Sequence, residues 1–189
     1  MDKIIKIKDI IRAAATILNK PNVVNYVDNP SVISGDCVEQ TKTLLGVTEL
    51  VLSELCVDKL PVHRTDSGRN VIGKTYYTSL VSIPIKIVSV KGVGGAPIEY
   101  EQFADHFSTK EPVYSITYNY LPTKLTTEQS LNFSNQKLTP VTIAYGVVAE
   151  YLLTIADFDG AVSWHEKFIE SIKRCLKITN VTMSERSWV

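Results

Sequence analysis

The hydrophobic positions of the chain follow a helical period at both ends and a two-residue period in the middle. In the amino-terminal part, apolar residues repeat every three to four positions, which predicts one helix over residues 6–18 and a longer one over residues 36–60. Asp36 is the expected N-cap of the second helix, and Pro61 ends it. The proline- and asparagine-rich segment between them, residues 22–35, is interpreted as a structured loop.

The segment from residue 139 to 176 carries the strongest helical pattern, two helices interrupted around residues 157–160. In the first of them, residues 141–153, the polar or small positions form one narrow stripe and every other side is apolar. We therefore expect a central helix that packs on several neighbours. Glu150 lies in that stripe, and if it is buried it needs a charged partner in the chain or on another subunit. The second helix has one apolar and one charged face, which is typical of a surface helix.

Between the second and third helices the pattern changes to that of β-strands. Residues 76–81 and 85–91 are rich in β-branched and aromatic side chains, and residues 98–107 predict a further strand or two. The clearest period of two lies in residues 113–120, which predicts a half-buried antiparallel strand. The residues expected on one face of that strand are Tyr114, Ile116, Tyr118 and Tyr120.

These elements predict an α+β protein: a four-helix bundle with an antiparallel β-sheet insertion between helices 2 and 3 and an extended carboxy-terminal tail. The bundle is expected to comprise residues 1–61 and 137–178, the β-rich insertion residues 62–136, and the tail residues 179–189. The tail is interpreted as extended because its residues lack helical periodicity. A chain of 189 residues buries roughly 70% of its extended-chain surface on folding, so it requires no metal or disulfide staple.

Composition narrows the classes of function. Lysine plus arginine number 20 and aspartate plus glutamate also 20, and this balance argues against a protein whose affinity rests on counterion release from nucleic acid. The three cysteines, an odd number, favour free and mostly buried thiols in a reducing compartment. No apolar run reaches the length of a membrane span, and residues 1–6 lack the apolar core of a signal peptide, so synthesis in the cytoplasm is expected.

Catalytic and metal-binding patterns are weak throughout. The glycine-rich residues 92–95 precede a predicted strand rather than the lysine and helix of a phosphate loop, so they predict a hairpin turn. His165 is interpreted as a core histidine, and His63 and His106 as exposed loop or strand-end residues. Asp159 is the expected N-cap of the last helix. No Ser-His-Asp or Cys-His set can be assembled, so we expect no catalytic residue, cofactor or metal.

Two surfaces allow more than one interpretation. The basic amino end is either a solvated helix face or a patch that faces an acidic partner or DNA. The residues that carry it are Lys3, Lys6, Lys8, Arg12 and Lys20. The tyrosines among residues 113–120 are either core residues or a platform for stacking bases. The core interpretation is favoured, because that strand carries no basic residues.

In their order along the chain, these segments resemble the head-to-tail adaptor (connector) proteins of tailed bacteriophages. The resemblance rests first on the amino-terminal helix and on the long second helix that ends in Leu60 and Pro61. It rests further on four sequences, ITYNYLP at 116–122, AYGVVAEY at 144–151, FDGAVSWHEKF at 158–168 and ERSWV at 185–189.

The resemblance implies a virion structural protein, not an enzyme. Proteins of this family form a ring, commonly of twelve copies, beneath the portal. The ring joins the capsid to the tail or a stopper, and DNA passes through it with transient, non-specific contact. The resemblance also implies that the carboxy-terminal end reaches the portal or a neighbouring subunit, with Arg186, Trp188 and Val189 as partner-binding residues. Glu150 is then expected at the subunit interface, and the chain is expected in the neck of the virion.

Three alternatives stay open. The first is another neck or tail-completion structural protein with a similar build, which its position in the particle would distinguish. The second is a small enzyme with a pocket between sheet and bundle, which requires convergent polar groups. The third is a nucleic-acid-binding regulator, which requires a salt-dependent affinity for DNA.

Overall fold

A computed structural model describes residues 3–31 and 35–186, and the side chains of residues 3–31, 35–57 and 59–176. The helices are α1 (Ile7–Ile17), α2 (Pro21–Asp28), α3 (Gly35–Asp58), α4 (Pro140–Thr154) and α5 (Phe158–Arg186). The strands are β1 (Lys3–Lys6), β2 (Val62–Tyr76), β3 (Pro84–Gly92), β4 (Tyr100–Gln102), β5 (His106–Tyr120) and β6 (Ser130–Phe133). A short 3-10 helix, Tyr77–Ser79, follows β2.

The predicted four-helix bundle with one sheet insertion is wrong, because the described residues form five helices and six strands paired antiparallel. The additional helix, α2, occupies the segment interpreted as a loop, where Pro21 at the first turn has a backbone angle already suited to a helix. The predicted extended tail is also wrong as far as Arg186, because α5 continues to that residue. A formed helix adds one hydrogen bond per residue, so it can propagate without an apolar face of its own.

The chain divides into two compact units. The first consists of Met1–Glu54 and Thr123–Val189, and the second of Leu55–Pro122. The first, called here the helical unit, holds α1, α2, α4, α5, most of α3 and the strands β1 and β6. The second, called here the β unit, holds the last turn of α3 and the strands β2 to β5.

Helix α4 forms the centre of the helical unit, as its apolar circumference indicates. Nine of its fifteen residues are buried, and it packs against α1 and α5. Gly146 allows this packing: a Cβ atom placed there would lie 2.9 Å from Val51 Cγ1 on α3 and 3.1 Å from the ring of Phe168 on α5. Thr139 caps the helix, since its hydroxyl accepts a hydrogen bond from Thr142 N at 3.2 Å.

In the same unit, β1 and β6 form an antiparallel pair that leads directly into α1. Ile5 pairs with Leu131, and both side chains are buried. At the start of α1, Ile7 N donates to Gln129 O at 2.9 Å and Lys8 N to Thr127 O at 3.2 Å. These bonds satisfy two of the amide groups that a helix start leaves unpaired.

The β unit is organised around the long strand β5. This strand pairs with β2 along its length, with β3 at its carboxy-terminal part and with β4 at its amino-terminal part. Phe107 and Tyr118 lie near opposite ends of β5 yet belong to one buried cluster, so the strands curl around a common core. The other members of this cluster are Leu80, Ile87, Val90, Ile98, Val113 and Ile116.

One residue of β5 departs from the predicted alternation. Ile116 and Tyr118 are buried as expected, but Tyr114 is 47% exposed and Val113 is buried instead. The pairing with β3 explains this, because Lys91 lies opposite Ser115 while Gly92 lies opposite Val113. Tyr114 is therefore the extra residue of a β-bulge, which reverses the direction of the side chains beyond it.

Candidate interaction surfaces

The turn between α4 and α5 carries a group of exposed apolar side chains in the helical unit. We call these four residues the elbow: Leu153 (46% exposed), Ile155 (56%), Phe158 (64%) and Val162 (60%). Single exposed apolar side chains are common on soluble proteins, whereas apolar side chains that cluster on the surface are typical of interaction sites. The elbow is therefore the first candidate surface.

Local hydrogen bonds, rather than burial, fix the backbone of the elbow. Ala156 has a left-handed φ of 61° between the two helices, and Asp157 Oδ1 accepts a hydrogen bond from Gly160 N at 3.0 Å. The cap of α5 is thus Asp157, and the prediction of Asp159 was wrong. A Cβ atom at position 160 would lie 2.6 Å from Asp157 Oδ2, so the glycine leaves room for the capping carboxylate.

A buried carboxylate organises the β unit. Asp66, on β2, is only 8% exposed, and its Oδ2 accepts a hydrogen bond from the hydroxyl of Tyr118 at 3.0 Å. Arg64 Nε lies 3.4 Å from Oδ1, and Arg69 Nη2 lies 3.8 Å from Oδ2. A buried charge is tolerated when it is paired and hydrogen-bonded in this way. Burial raises the pKa of the Tyr118 hydroxyl, and the neighbouring Asp66 raises it further, so Tyr118 stays a donor at neutral pH.

We call these four residues, Arg64, Asp66, Arg69 and Tyr118, the polar clamp, because they hold the chain that precedes β3. Val81 N donates to Asp66 Oδ2 at 3.1 Å, and Ser82 N donates to the Tyr118 hydroxyl at 3.2 Å. Arg69 Nη1 donates to Ser79 Oγ at 3.2 Å. The clamp therefore fixes the backbone of residues 79–82 through side chains that lie far away in the sequence.

The chain held by the clamp displays a second group of apolar side chains. We call it the apolar strip: Val81 (63% exposed), Ile83 (72%) and Ile85 (44%). These residues lie at every second position of the segment that leads into β3, and they contrast with the buried Leu80 and Ile87 on either side. The strip is the second candidate surface.

A groove of about 760 Å³ lies beside β4 and the facing part of β5. We call it the acidic groove, because Glu99, Glu101 and Glu111 line it together with one lysine, Lys110. Its apolar lining includes Pro97 and the half-buried Tyr100. The groove can therefore accept an apolar group that carries a positive charge beside it.

Of the three histidines, His63 is half-buried near the start of β2. His106 begins β5, where its Nδ1 lies 2.6 Å from Asp105 Oδ1 and its ring stacks on Phe103 at 4.6 Å. Its side chain is only 12% exposed, which corrects the prediction of an exposed residue. The hydrogen bond to His106 lowers the pKa of Asp105. His165, predicted in the core, is exposed because it lies at the rim of the buried face, 6.3 Å from the ring of Phe168.

The thiols are all buried and unpaired, as expected. Burial raises the pKa of Cys56 to about 12 and also raises that of Cys175, so both are held as neutral thiols rather than as nucleophiles. In the part of the chain that the structure describes, no group of three or more histidine, cysteine or acidic residues could hold a metal ion.

The structure places two of the residues predicted from the sequence to bind partners. Glu150 is half-buried on α4 and has no ion-pair partner among the described side chains. Arg186 is the last residue of α5, and its side chain lies outside the described ones. Trp188 and Val189 lie outside the described residues, so these four assignments stay predictions.

The basic amino end is partly neutralised within the chain. Arg12 pairs with Asp9 and Asp28, and the hydrogen bond to Asp28 raises the pKa of Arg12. Lys20 Nζ lies 5.1 Å from the centre of the Tyr151 ring and donates to Gln40 Oε1 at 3.3 Å. These contacts favour a structural role for both residues.

Sequence reasoning missed the polar clamp and the acidic groove. Asp66 lies among charged residues in a segment for which no strand was predicted, so nothing in its neighbourhood marks it as buried.

None of the helices in the described part of the chain combines the length and the apolarity needed to cross a bilayer. Comparison of the chain with protein-family models and with curated proteins found no match.

Proposed function

We propose that the protein is a head-to-tail adaptor of a tailed phage, a structural protein that forms a ring beneath the portal, joins the capsid to the tail and lets DNA pass through. The order of its sequence segments, which resembles that family, supports the proposal. The structural observation that carries it is the elbow, an apolar surface that the chain's own core leaves exposed.

A ring is built from heterologous contacts, in which two different patches of each subunit meet. The apolar sides of α4 are largely used within the chain, so α4 itself offers little surface to a neighbour. The elbow, at the end of this helix, remains available. Glu150 also supports contacts between subunits of a ring. A half-buried carboxylate that has no partner among the described side chains is suited to a contact with a neighbouring subunit.

The size of the elbow indicates how assembly proceeds. Full burial of one such side chain stabilises by about 1.5–3 kcal/mol, so covering four half-exposed ones contributes on the order of 3–6 kcal/mol. Association costs an estimated 4–15 kcal/mol in lost freedom of motion. The elbow alone therefore does not hold two free copies together, and we expect the ring to form on the portal, where several contacts act at once.

The remaining parts of the proposal concern partners. Arg186, Trp188 and Val189 contact the portal or a neighbouring subunit, and the tail or a stopper assembles on the opposite side of the ring. The equal numbers of acidic and basic residues suit a channel along which DNA slides without being retained.

The test compares two substitutions in the helical unit, Phe158→Asp at the elbow and Leu50→Asp on α3. Leu50 is 51% exposed and lies outside the elbow, so it is a matched control for Phe158 at 64%. We expect both variants to fold with unchanged circular dichroism, but only Phe158→Asp to be missing from phage particles. Normal incorporation of Phe158→Asp would contradict the role of the elbow.

Electron microscopy of particles that carry a labelled chain tests the location. Density between the portal and the tail is expected. A position elsewhere in the neck or tail would favour the other structural role, a tail-completion protein, and absence from the particle would overturn both.

A further inference from the structure

Charged residues in the β unit are segregated along the chain. Residues 67–98 contain four lysine or arginine residues and no acidic ones, whereas residues 99–111 contain four acidic residues and one lysine. The chain as a whole is neutral. Along the sequence of this unit, a basic stretch is therefore followed by an acidic one.

The basic part carries the apolar strip. Lys86 follows the strip on β3 and is exposed, and the side chain of Arg64 in the polar clamp is 43% exposed. Because the clamp already fixes the backbone of residues 79–82, the strip reaches a partner with little further loss of conformational entropy.

The strip is suited to side-chain contact rather than to the addition of a strand. The pairing of β3 with β5 shifts between Pro84 and Lys86 and again between Ile87 and Ser89, so Ile85 and Val88 are bulged residues. Bulges, proline and lysine at a sheet edge all hinder pairing with another strand. A partner therefore meets apolar side chains and an ammonium group.

The acidic part carries the complementary surface. The acidic groove combines an apolar lining, from Pro97 and the half-buried Tyr100, with the carboxylates of Glu99, Glu101 and Glu111. An apolar segment flanked by a lysine matches both properties. The strip presents apolar and basic groups, and the groove presents apolar and acidic ones, so the two surfaces are complementary. They are different surfaces of the same chain.

We propose that the apolar strip of one copy, with Lys86, occupies the acidic groove of a second copy. The closure of such contacts into a ring rests on the proposed adaptor function. Contact between two strips would bring the Lys86 residues of both copies together, and contact between two grooves would bring carboxylates together. Contact between strip and groove avoids both, is heterologous and repeats from copy to copy.

The test is an exchange of charge in the full chain. Lys86→Glu places a carboxylate opposite the groove, and Glu101→Lys places an ammonium group opposite the strip. Since like charges across an interface cost several kcal/mol, we expect each variant alone to weaken self-association by at least about tenfold. Lys42→Glu, on the exposed surface of α3, changes the net charge equally outside this unit and serves as the control.

The decisive measurement is restoration. The doubly substituted chain, and an equal mixture of the two single variants, should both recover self-association to near the wild-type level. The mixture recovers because each strip then finds a groove of opposite charge on the other variant. Sedimentation velocity at low salt, with and without isolated portal rings, gives the readout, and thermal melting confirms that every variant is folded.

The outcomes separate this inference from the proposed function. Restoration in chains that are absent from the virion neck would support the contact and overturn the adaptor role. Single variants that associate normally, or a double variant that fails to recover, would overturn the contact even if the chain lies in the neck. A wild-type chain that does not associate even with portal rings present would overturn the contact as well.

Discussion

At the scale of single residues, Gly146 determines how closely three helices approach. It lies on α4, and a Cβ atom added to it would lie 2.9 Å from Val51 Cγ1 of α3 and 3.1 Å from the ring of Phe168 of α5. The absence of a side chain is thus a packing requirement here and not a conformational one. The sequence showed only that Gly146 belongs to the stripe of small and polar residues.

We predict that Gly146→Ala lowers the free energy of unfolding by about 1–3 kcal/mol, because the added methyl group overpacks this contact. Gly46, on α3, has no atom within 4 Å of an added Cβ. Gly46→Ala should therefore raise the stability by about 0.5–1 kcal/mol through helix propensity. Urea denaturation followed by circular dichroism measures both, and equal effects of the two substitutions would contradict the packing argument.

Asp66 is the residue whose role the sequence conceals most completely. Its partner Tyr118 lies 52 positions away, and its other contacts depend on a turn that brings Val81 back to β2. In the printed sequence it is one acidic residue among several charged neighbours. Only the folded chain shows that it is buried and that it positions the apolar strip.

At the scale of secondary structure, helices were predicted better than strands. The predicted helix over residues 6–18 corresponds to α1, Ile7–Ile17, and that over 36–60 to α3, Gly35–Asp58. Apolar side chains with a helical period mark such segments directly. Strand β2, Val62–Tyr76, has no such mark, because Gly68 and Gly73 adopt left-handed φ angles and the polar Asp66 takes an inward position.

The cap of α5 provides a prediction at this scale. Asp157→Ala should lower stability by about 1 kcal/mol through loss of the cap. Gly160→Ala should also destabilise the wild-type chain, because its Cβ displaces the capping carboxylate. In the Asp157→Ala background the same change should instead stabilise, by about 0.5–1 kcal/mol, since alanine favours a helix over glycine.

A double-mutant cycle with thermal or urea denaturation measures this coupling. The sign reversal of Gly160→Ala between the two backgrounds is the expected result. If the effects of the two substitutions simply add, the carboxylate of Asp157 does not occupy the space that Gly160 leaves.

At the scale of the whole molecule, the carboxy-terminal residues carry the proposed attachment to the portal. We predict that Trp188→Ala leaves the circular dichroism and melting temperature unchanged but weakens binding to portal rings by at least about fivefold, as loss of an aromatic interface residue does. Co-sedimentation with portal rings provides the measurement. Trp188→Phe, which keeps an aromatic ring, should retain most of the binding, and unchanged incorporation of Trp188→Ala into particles would contradict the assignment.

The whole chain also shows why its organisation was only partly predictable. Strands β1 and β6 pair with each other although the paired residues Ile4 and Asn132 lie 128 positions apart. Such pairing leaves no local pattern in four-residue strands. The helical unit therefore contains strands that periodicity could not place.

Local periodicity is enough to predict α1, α3 and α4 and the buried character of α4, because a repeat of apolar residues is a local property that requires burial wherever the helix lies. Tertiary contacts decide which aspartate is buried in the β unit and which apolar residues stay exposed at the elbow and the strip. Those outcomes depend on contacts between residues far apart in the chain, such as Asp66 with Tyr118. For such contacts the free energy of burial is set by the partner and not by the neighbouring sequence.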